Sequence, residues 1–112
     1  MNVELVLRRE LYNKEYDIIF NGNTVGRILF REYKKSINIE SISIDTQYQH
    51  RGIGSKTIRQ LLKSYSTICG CSSPMAIDFW KKLGAEFEYE ITENMVYELL
   101  DIGEYPPFMI NQ

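Results

Sequence analysis

Apolar and polar side chains alternate through the first 45 residues, the pattern of strands packed on one face. Val3, Leu5 and Leu7 interleave with Glu4, Val6 and Arg8, and Tyr16, Ile18 and Phe20 carry the same period into a second run. Asn21-Gly22 follows at once. Both central positions of a type I′ turn need positive φ, which Asn and Gly adopt most readily, so a hairpin is predicted there. The third strand sets Gly26, Ile28 and Phe30 on one face and Arg27 and Arg31 on the other, and residues 33–36 form the next turn. A fourth strand over residues 37–45 places Asn38, Glu40, Ile42 and Ile44 on one side, with Ser41 and Ser43 on the other.

The period then changes. Ile58, Leu61, Leu62 and Tyr65 fall at i, i+3, i+4 and i+7, one stripe of a helix that starts near Ile53. Residues 67–71 suit a fifth strand, and Ser73-Pro74 is a helix start with serine as N-cap and proline as first helical residue. Ala76, Ile77, Trp80 and Leu83 supply the buried stripe of that second helix, and Gly84 ends it. Residues 87–91 and 95–100 read as a closing pair of strands. Pro106-Pro107 argues against helix and sheet interior alike, leaving residues 101–112 as an extended tail. The expected order is ββββαβαββ, an α/β (α+β) fold in a single domain over residues 1–112.

Composition narrows the function. With 44% hydrophobic and 25% charged residues the chain has the balance of a soluble globular domain, and 112 residues suffice for one core. A net charge of −2 gives no general attraction to nucleic acid, and no apolar run is long enough to cross a bilayer. The opening Met1-Asn2-Val3-Glu4 has no signal-peptide character. Cys69 and Cys71 stand two apart without further ligands, which suits neither a zinc site nor an unstrained disulfide. A reducing cytoplasm is the expected compartment.

Chemistry concentrates in residues 44–55, where a strand ends, a polar loop follows, and Gly52 and Gly54 open a helix. Amides at a helix N-terminus attract anions, and glycines remove the Cβ atoms that would hold a phosphate away. Arg51 and Lys56 flank the turn with positive charge. A dinucleotide fingerprint would need a third glycine where Lys56 and Thr57 stand, and the Gly-Lys-Ser/Thr of a P-loop is absent. The residues alone leave two readings, a phosphate-binding turn or a plain strand–turn–helix.

Gln49-x-x-Gly52-x-Gly54 resembles the Gln/Arg-x-x-Gly-x-Gly/Ala signature of the GCN5-related N-acetyltransferase (GNAT) superfamily. Residues 39–45 resemble the strand before that signature, and residues 76–84 (Ala-Ile-Asp-Phe-Trp-Lys-Lys-Leu-Gly) resemble the family's second motif, Ala-x-x-Phe-Tyr-x-x-x-Gly-Phe. The resemblance covers roughly residues 37–87. It implies a GNAT-like mixed central sheet, here a short form lacking the usual first two helices. It implies that the backbone of Ile42, Ser43 and Ile44 pairs with the pantetheine of acetyl-coenzyme A in a gap between the fourth and fifth strands. Gln49, His50, Arg51, Gly52, Ile53, Gly54, Ser55 and Lys56 would surround the pyrophosphate, and Ser73 occupies a position that contacts pantetheine. The implied reaction transfers the acetyl group of acetyl-coenzyme A, as co-substrate, to a primary amine of a protein, peptide or small molecule, without metal.

Three departures bear on catalysis. The missing helices form a wall of the acceptor site in most members, which predicts an open site or a wall supplied by a second copy. The apolar residues Val6, Ile19 and Leu29 on the far face of the early strands also predict self-association into a homodimer. Trp80 replaces the tyrosine that protonates the departing thiolate in many members, and Ala85 replaces a phenylalanine. Glu40, on the strand that would carry the thioester, is the candidate general base; the alternative is a strand-end carboxylate without catalytic duty. His50 suits a base by its pKa but sits in the pyrophosphate turn, on the wrong side of the coenzyme. Cys69 and Cys71 read as core filler, and Tyr65, Tyr89 and Tyr97 are candidates for a replacement acid. A family member that binds coenzyme A or a protein partner without turnover is the alternative function.

Overall fold

The computed structural model describes residues 2–112. Four strands come first, β1 (Val3–Glu10), β2 (Lys14–Phe20), β3 (Asn23–Tyr33) and β4 (Ser36–Ile44), each antiparallel to its predecessor. Asn21 and Gly22 make the β2–β3 turn with φ of 53° and 78°, as the type I′ reading requires. A 3₁₀ turn over Thr46–Tyr48 leads to helix α1 (Ile53–Leu61), and β5 (Thr67–Cys71) returns parallel to β4. A second 3₁₀ turn, Pro74–Ala76, runs into α2 (Ile77–Lys82). Strand β6 (Glu86–Phe87), helix α3 (Glu93–Ile102) and strand β7 (Pro107–Asn111) complete the chain. The strands form one mixed sheet in the order β1-β2-β3-β4-β5-β7-β6.

The C-terminal third corrects the sequence reading in three places. Of residues 87–91, expected as a strand, only Phe87 lies in one, β6. Residues 95–100, expected as a strand, lie in α3, which buries Leu99 against Ile77 and Ile91 with Met95 and Val96 beside it. Gly103 ends this helix at φ 67°; its amide bonds Leu100 O, and the Glu104 amide bonds Leu99 O at 3.0 Å, a paired closure of the last turn. The terminal segment is not an extended tail either. Residues 107–111 form β7, inserted between β5 and β6. Pro107 is tolerated because it is the strand's first residue, and the buried Phe108 and Ile110 face the core.

A further correction concerns β4. Phe30 pairs with Ile39 and Leu29 with Ser41, so Glu40 is an extra, bulged residue. The bulge reverses the alternation. Ile37 and Ile39 before it and Ile42 and Ile44 after it all pack toward the same core, so Asn38 and Glu40 do not share a face with Ile42 and Ile44.

That core lies on one side of the sheet. Ile18, Ile28, Phe30, Ile37, Ile68 and Ile110 meet Ile53, Ile58 and Leu61 of α1 and Trp80 of α2 in one cluster. Trp80 is 4% exposed and stacks on Phe108 with centroids 4.2 Å apart. Among the described residues no helix packs on the opposite face, where Val6, Tyr33 and Met109 stand exposed and Ile19 and Leu29 half-buried. There Arg8 pairs with Glu15 and Asp17, and Arg27 with Asp17.

Candidate active site at the split between two parallel strands

Strands β4 and β5 pair only from Ser36–Thr67 to Ile39–Gly70. Beyond that point β4 runs on from Glu40 to Ile44 while β5 ends at Cys71 and the chain turns away through Ser72 and Ser73. The bulge at Glu40 sits where the pairing stops, and bulges bend the strand that carries them. The edge of Ile42, Ser43 and Ile44 therefore has no partner on β5. Their other edge is held by Ile28, Arg27 and Gly26 of β3.

The loop above the gap is fixed from both ends. Asp45 donates its amide to Val25 O at 2.7 Å, and Gln49 donates its side-chain amide to Ile44 O at 2.9 Å. Gln49 thus ties the loop to the strand end. His50 and Gly52 adopt left-handed backbone, with φ of 63° and 78°, and turn the chain into α1. The first helical bond runs from the Lys56 amide to Gly52 O at 3.0 Å, so the amides of Ile53, Gly54 and Ser55 have no partner within the helix. These three amides lie at the positive end of the helix dipole, where negative charge is stabilised.

The two glycines differ in purpose. A Cβ on Gly52 would meet nothing within 4 Å, so Gly52 serves its left-handed backbone. A Cβ on Gly54 would stand 3.2 Å from Phe79 Cε1 of α2, so Gly54 serves the packing of the two helices. The Ile53 side chain is 1% exposed in the core and can offer only its backbone. Arg51 and His50 are exposed, with the Arg51 guanidinium 5.5 Å from the Tyr48 ring centroid. Ser55 is half-buried and Lys56 exposed on the first turn of α1. Ser73, half-buried across the gap, precedes Pro74 without a side-chain cap bond.

Glu40 is exposed and accepts a hydrogen bond from Asn38 Nδ2 at 3.3 Å. The three tyrosines fare less well as acids. Tyr65 donates its hydroxyl to Glu32, and burial first, then that bond, raise its pKa, so it holds its proton more tightly. Tyr97 is exposed on α3 and Tyr89 lies in the loop before it. Cys69 is half-buried, its thiol pushed up by desolvation, and Cys71 is exposed rather than core. Sequence reasoning missed a cluster beside Glu40 in which Arg31, opposite Asn38, is clamped by Tyr12, Asn13 and Tyr33. Its members come from the β1–β2 turn and β3, and only the pairing of the strands brings them together.

Comparison with known proteins agrees with this geometry. A Bacillus subtilis acetyltransferase solved in complex with CoA is similar over 99% of both chains, with TM-score 0.67 and 14% identity. A GNAT family acetyltransferase from Elizabethkingia anophelis with acetyl-CoA bound matches 90% of this chain and 77% of its own, with TM-score 0.63 and 15% identity. Tetrahymena GCN5 matches 91% of this chain and 69% of its own, with TM-score 0.65 and 18% identity. Curated protein sequences give no match. The description that matches residues 7–85 by sequence, well over half of the chain, is the acetyltransferase (GNAT) family. A split sheet with free helix amides above it and a family match across both motifs have one meaning: the chain belongs to the GNAT acetyltransferase family.

Proposed function

We propose that this chain transfers the acetyl group of acetyl-coenzyme A to a primary amine. The observation that carries the reading is the end of β4–β5 pairing at Ile39–Gly70, on the strand that leads through residues 45–52 into the helix amides of Ile53, Gly54 and Ser55, which have no partner within the helix. Acetyl-coenzyme A supplies an activated thioester. Ile42, Ser43 and Ile44 offer their free backbone edge to pantetheine, and the amides of Ile53, Gly54 and Ser55 take the pyrophosphate. Glu40, at the base of the split, takes the proton that the amine loses as its nitrogen bonds the acetyl carbon, directly or through water. The carbon–sulfur bond then breaks, and the thiolate takes its proton from solvent. Trp80 is buried and donates no proton there.

The acceptor side is the sheet face that no helix covers. A second copy of the chain seated over Val6, Ile19 and Leu29 would supply the missing wall while leaving the β4–β5 split open. The reaction belongs in a reducing cytoplasm. Labelled acetyl-coenzyme A, offered with proteins, peptides and small amines, tests the transfer. Acetylation of an amine with release of coenzyme thiol is expected. Coenzyme binding without turnover of any amine would leave the binding-only function, which the burial of Trp80 at the acid position favours.

A further inference from the structure

The arginines on the uncovered face are not alike. Arg8 and Arg27 lie within 3.4 Å of the carboxylates of Glu15 and Asp17 respectively. Arg31 has no carboxylate within ion-pair distance among the described residues, yet it is the most closely framed of the three. Its Nε donates to Asn13 Oδ1 at 3.4 Å, its Nη1 donates to the Tyr33 hydroxyl at 3.2 Å, and its guanidinium lies 3.8 Å from the Tyr12 ring centroid. All three partners are neutral. They fix the fork in place without neutralising it.

The location gives this cation a task. Arg31 stands opposite Asn38 on the neighbouring strand, and Asn38 bonds the Glu40 carboxylate. Arg31 and Glu40 therefore stand diagonally across β3 and β4, with their backbones about 7–8 Å apart. That span matches a molecule with an amine at one end and a carboxylate a bond or two away. A planar fork with free N–H groups binds carboxylates in two-point fashion, and a framed guanidinium loses little freedom in doing so. Tyr12 and Tyr33, 76% and 50% exposed, flank the fork of the half-buried Arg31 at the surface.

We infer that Arg31 receives the carboxylate of the acceptor, so that the amine acetylated by this chain belongs to a small molecule of the amino-acid class. This rests on the reading above, in which the amine is presented to Glu40 at the base of the split. The fork sets the acceptor's orientation and its discrimination against uncharged analogues; Glu40 handles the proton.

The experiment compares the standard amino acids with their carboxamides in two assays on the full chain, steady-state acetylation and thermal protection in the presence of coenzyme A. At least one amino acid is expected to be acetylated with kcat/KM about tenfold or more above its amide, the scale of a hydrogen-bonded charge. In Arg31→Gln that ratio falls toward one through a rise in KM for the acid. In Arg31→Lys, which keeps the charge and loses the fork, the ratio is intermediate. Acids and amides used equally by the wild type, or an Arg31→Gln variant that keeps the wild-type preference, would overturn the assignment. So would acetylation confined to peptides or polyamines. Protection by coenzyme A alone separates the two readings. Without it both fall; with it, and with no amino acid adding protection beyond its amide, the Arg31 assignment alone falls.

Discussion

Gly54 of α1 lies under the ring of Phe79 of α2, so closely that a Cβ there would stand 3.2 Å from Cε1 and 3.3 Å from Cζ. The second glycine of the signature therefore holds two helices together, and the effect on the fold exceeds what a phosphate-contact role implies. Gly54→Val is expected to destabilise the protein by about 1–3 kcal/mol through overpacking. Gly52→Ala, whose Cβ meets open space but whose φ is 78°, is expected to cost about 1–2 kcal/mol through backbone strain. Urea unfolding of both variants, with and without coenzyme A, checks the division. A Gly54→Val protein with wild-type stability would show that α2 yields freely to the added carbons.

Glu32 provides a pH test far from the split. Its pKa is lowered, first by the Tyr65 hydroxyl and then by Lys14, whose Nζ is 3.1 Å away. A carboxyl with a depressed folded pKa stabilises the fold above its unfolded value, near 4.3, and loses that contribution as pH falls through the folded value. Tyr65 runs the other way. Its raised pKa stabilises the fold below its unfolded value, near 10, and the contribution is lost as pH rises beyond that. Tyr65→Phe should therefore melt lower than wild type between pH 5 and 9, with the gap narrowing below about pH 4 and above about pH 10. A gap independent of pH would mean that the hydroxyl contributes packing alone.

Local signals carried the first two-thirds of the chain. Asn21-Gly22 announces its hairpin because the turn needs only those two residues, and Gly52 marks the start of α1 for the same local reason, whereas the packing of Gly54 against Phe79 shows only in the fold. The bulge at Glu40 left no mark, because Ile39-Glu40-Ser41-Ile42 reads as unbroken alternation and only the pairing with Leu29 and Phe30 reveals the extra residue. Helix α3 was legible in principle: Glu93 follows Thr92 at its start, Gly103 closes it, and Met95 and Leu99 stand four apart. The β-branched and aromatic residues Val96 and Tyr97 outweighed those signals in the strand reading. For β7, Pro107 argued against a strand only because its place as first residue was not foreseen.

The uncovered face leads to an oligomer test. Val6 is 49% exposed on edge strand β1, and the charges around it are already paired with each other, which leaves an apolar strip free to be covered. Sedimentation at tens of micromolar should give the mass of a dimer, and Val6→Glu should shift it to monomer without loss of secondary structure. A strictly monomeric wild type would count against a second copy as the missing wall.

Trp80 and Glu40 divide the remaining work, and two proton transfers decide how. The departing thiolate comes from a group with pKa near 8.5 and leaves near neutral pH with little help, whereas an amine near 7.8 to 10.4 must first lose a proton. A positioned base typically contributes about 10²–10⁴-fold. Trp80 stacks on Phe108 and meets Phe79 edge-on with centroids 4.9 Å apart, so it belongs to the core. Trp80→Phe should keep most of kcat, while Trp80→Ala should cost about 3–5 kcal/mol of stability. Glu40→Gln should keep the fold, because Glu40 is exposed and among the described residues its carboxylate bonds only Asn38, yet lower kcat about tenfold or more. The alkaline rise of its pH–rate profile should steepen and follow the amine's own pKa, since bulk solvent must then deprotonate the amine. Steady-state profiles of the three full-length proteins with one accepted amine, beside urea unfolding of each, read both effects. A folded Trp80→Phe that loses turnover while Glu40→Gln retains it would reverse the assignment and return the acid's role to the indole position.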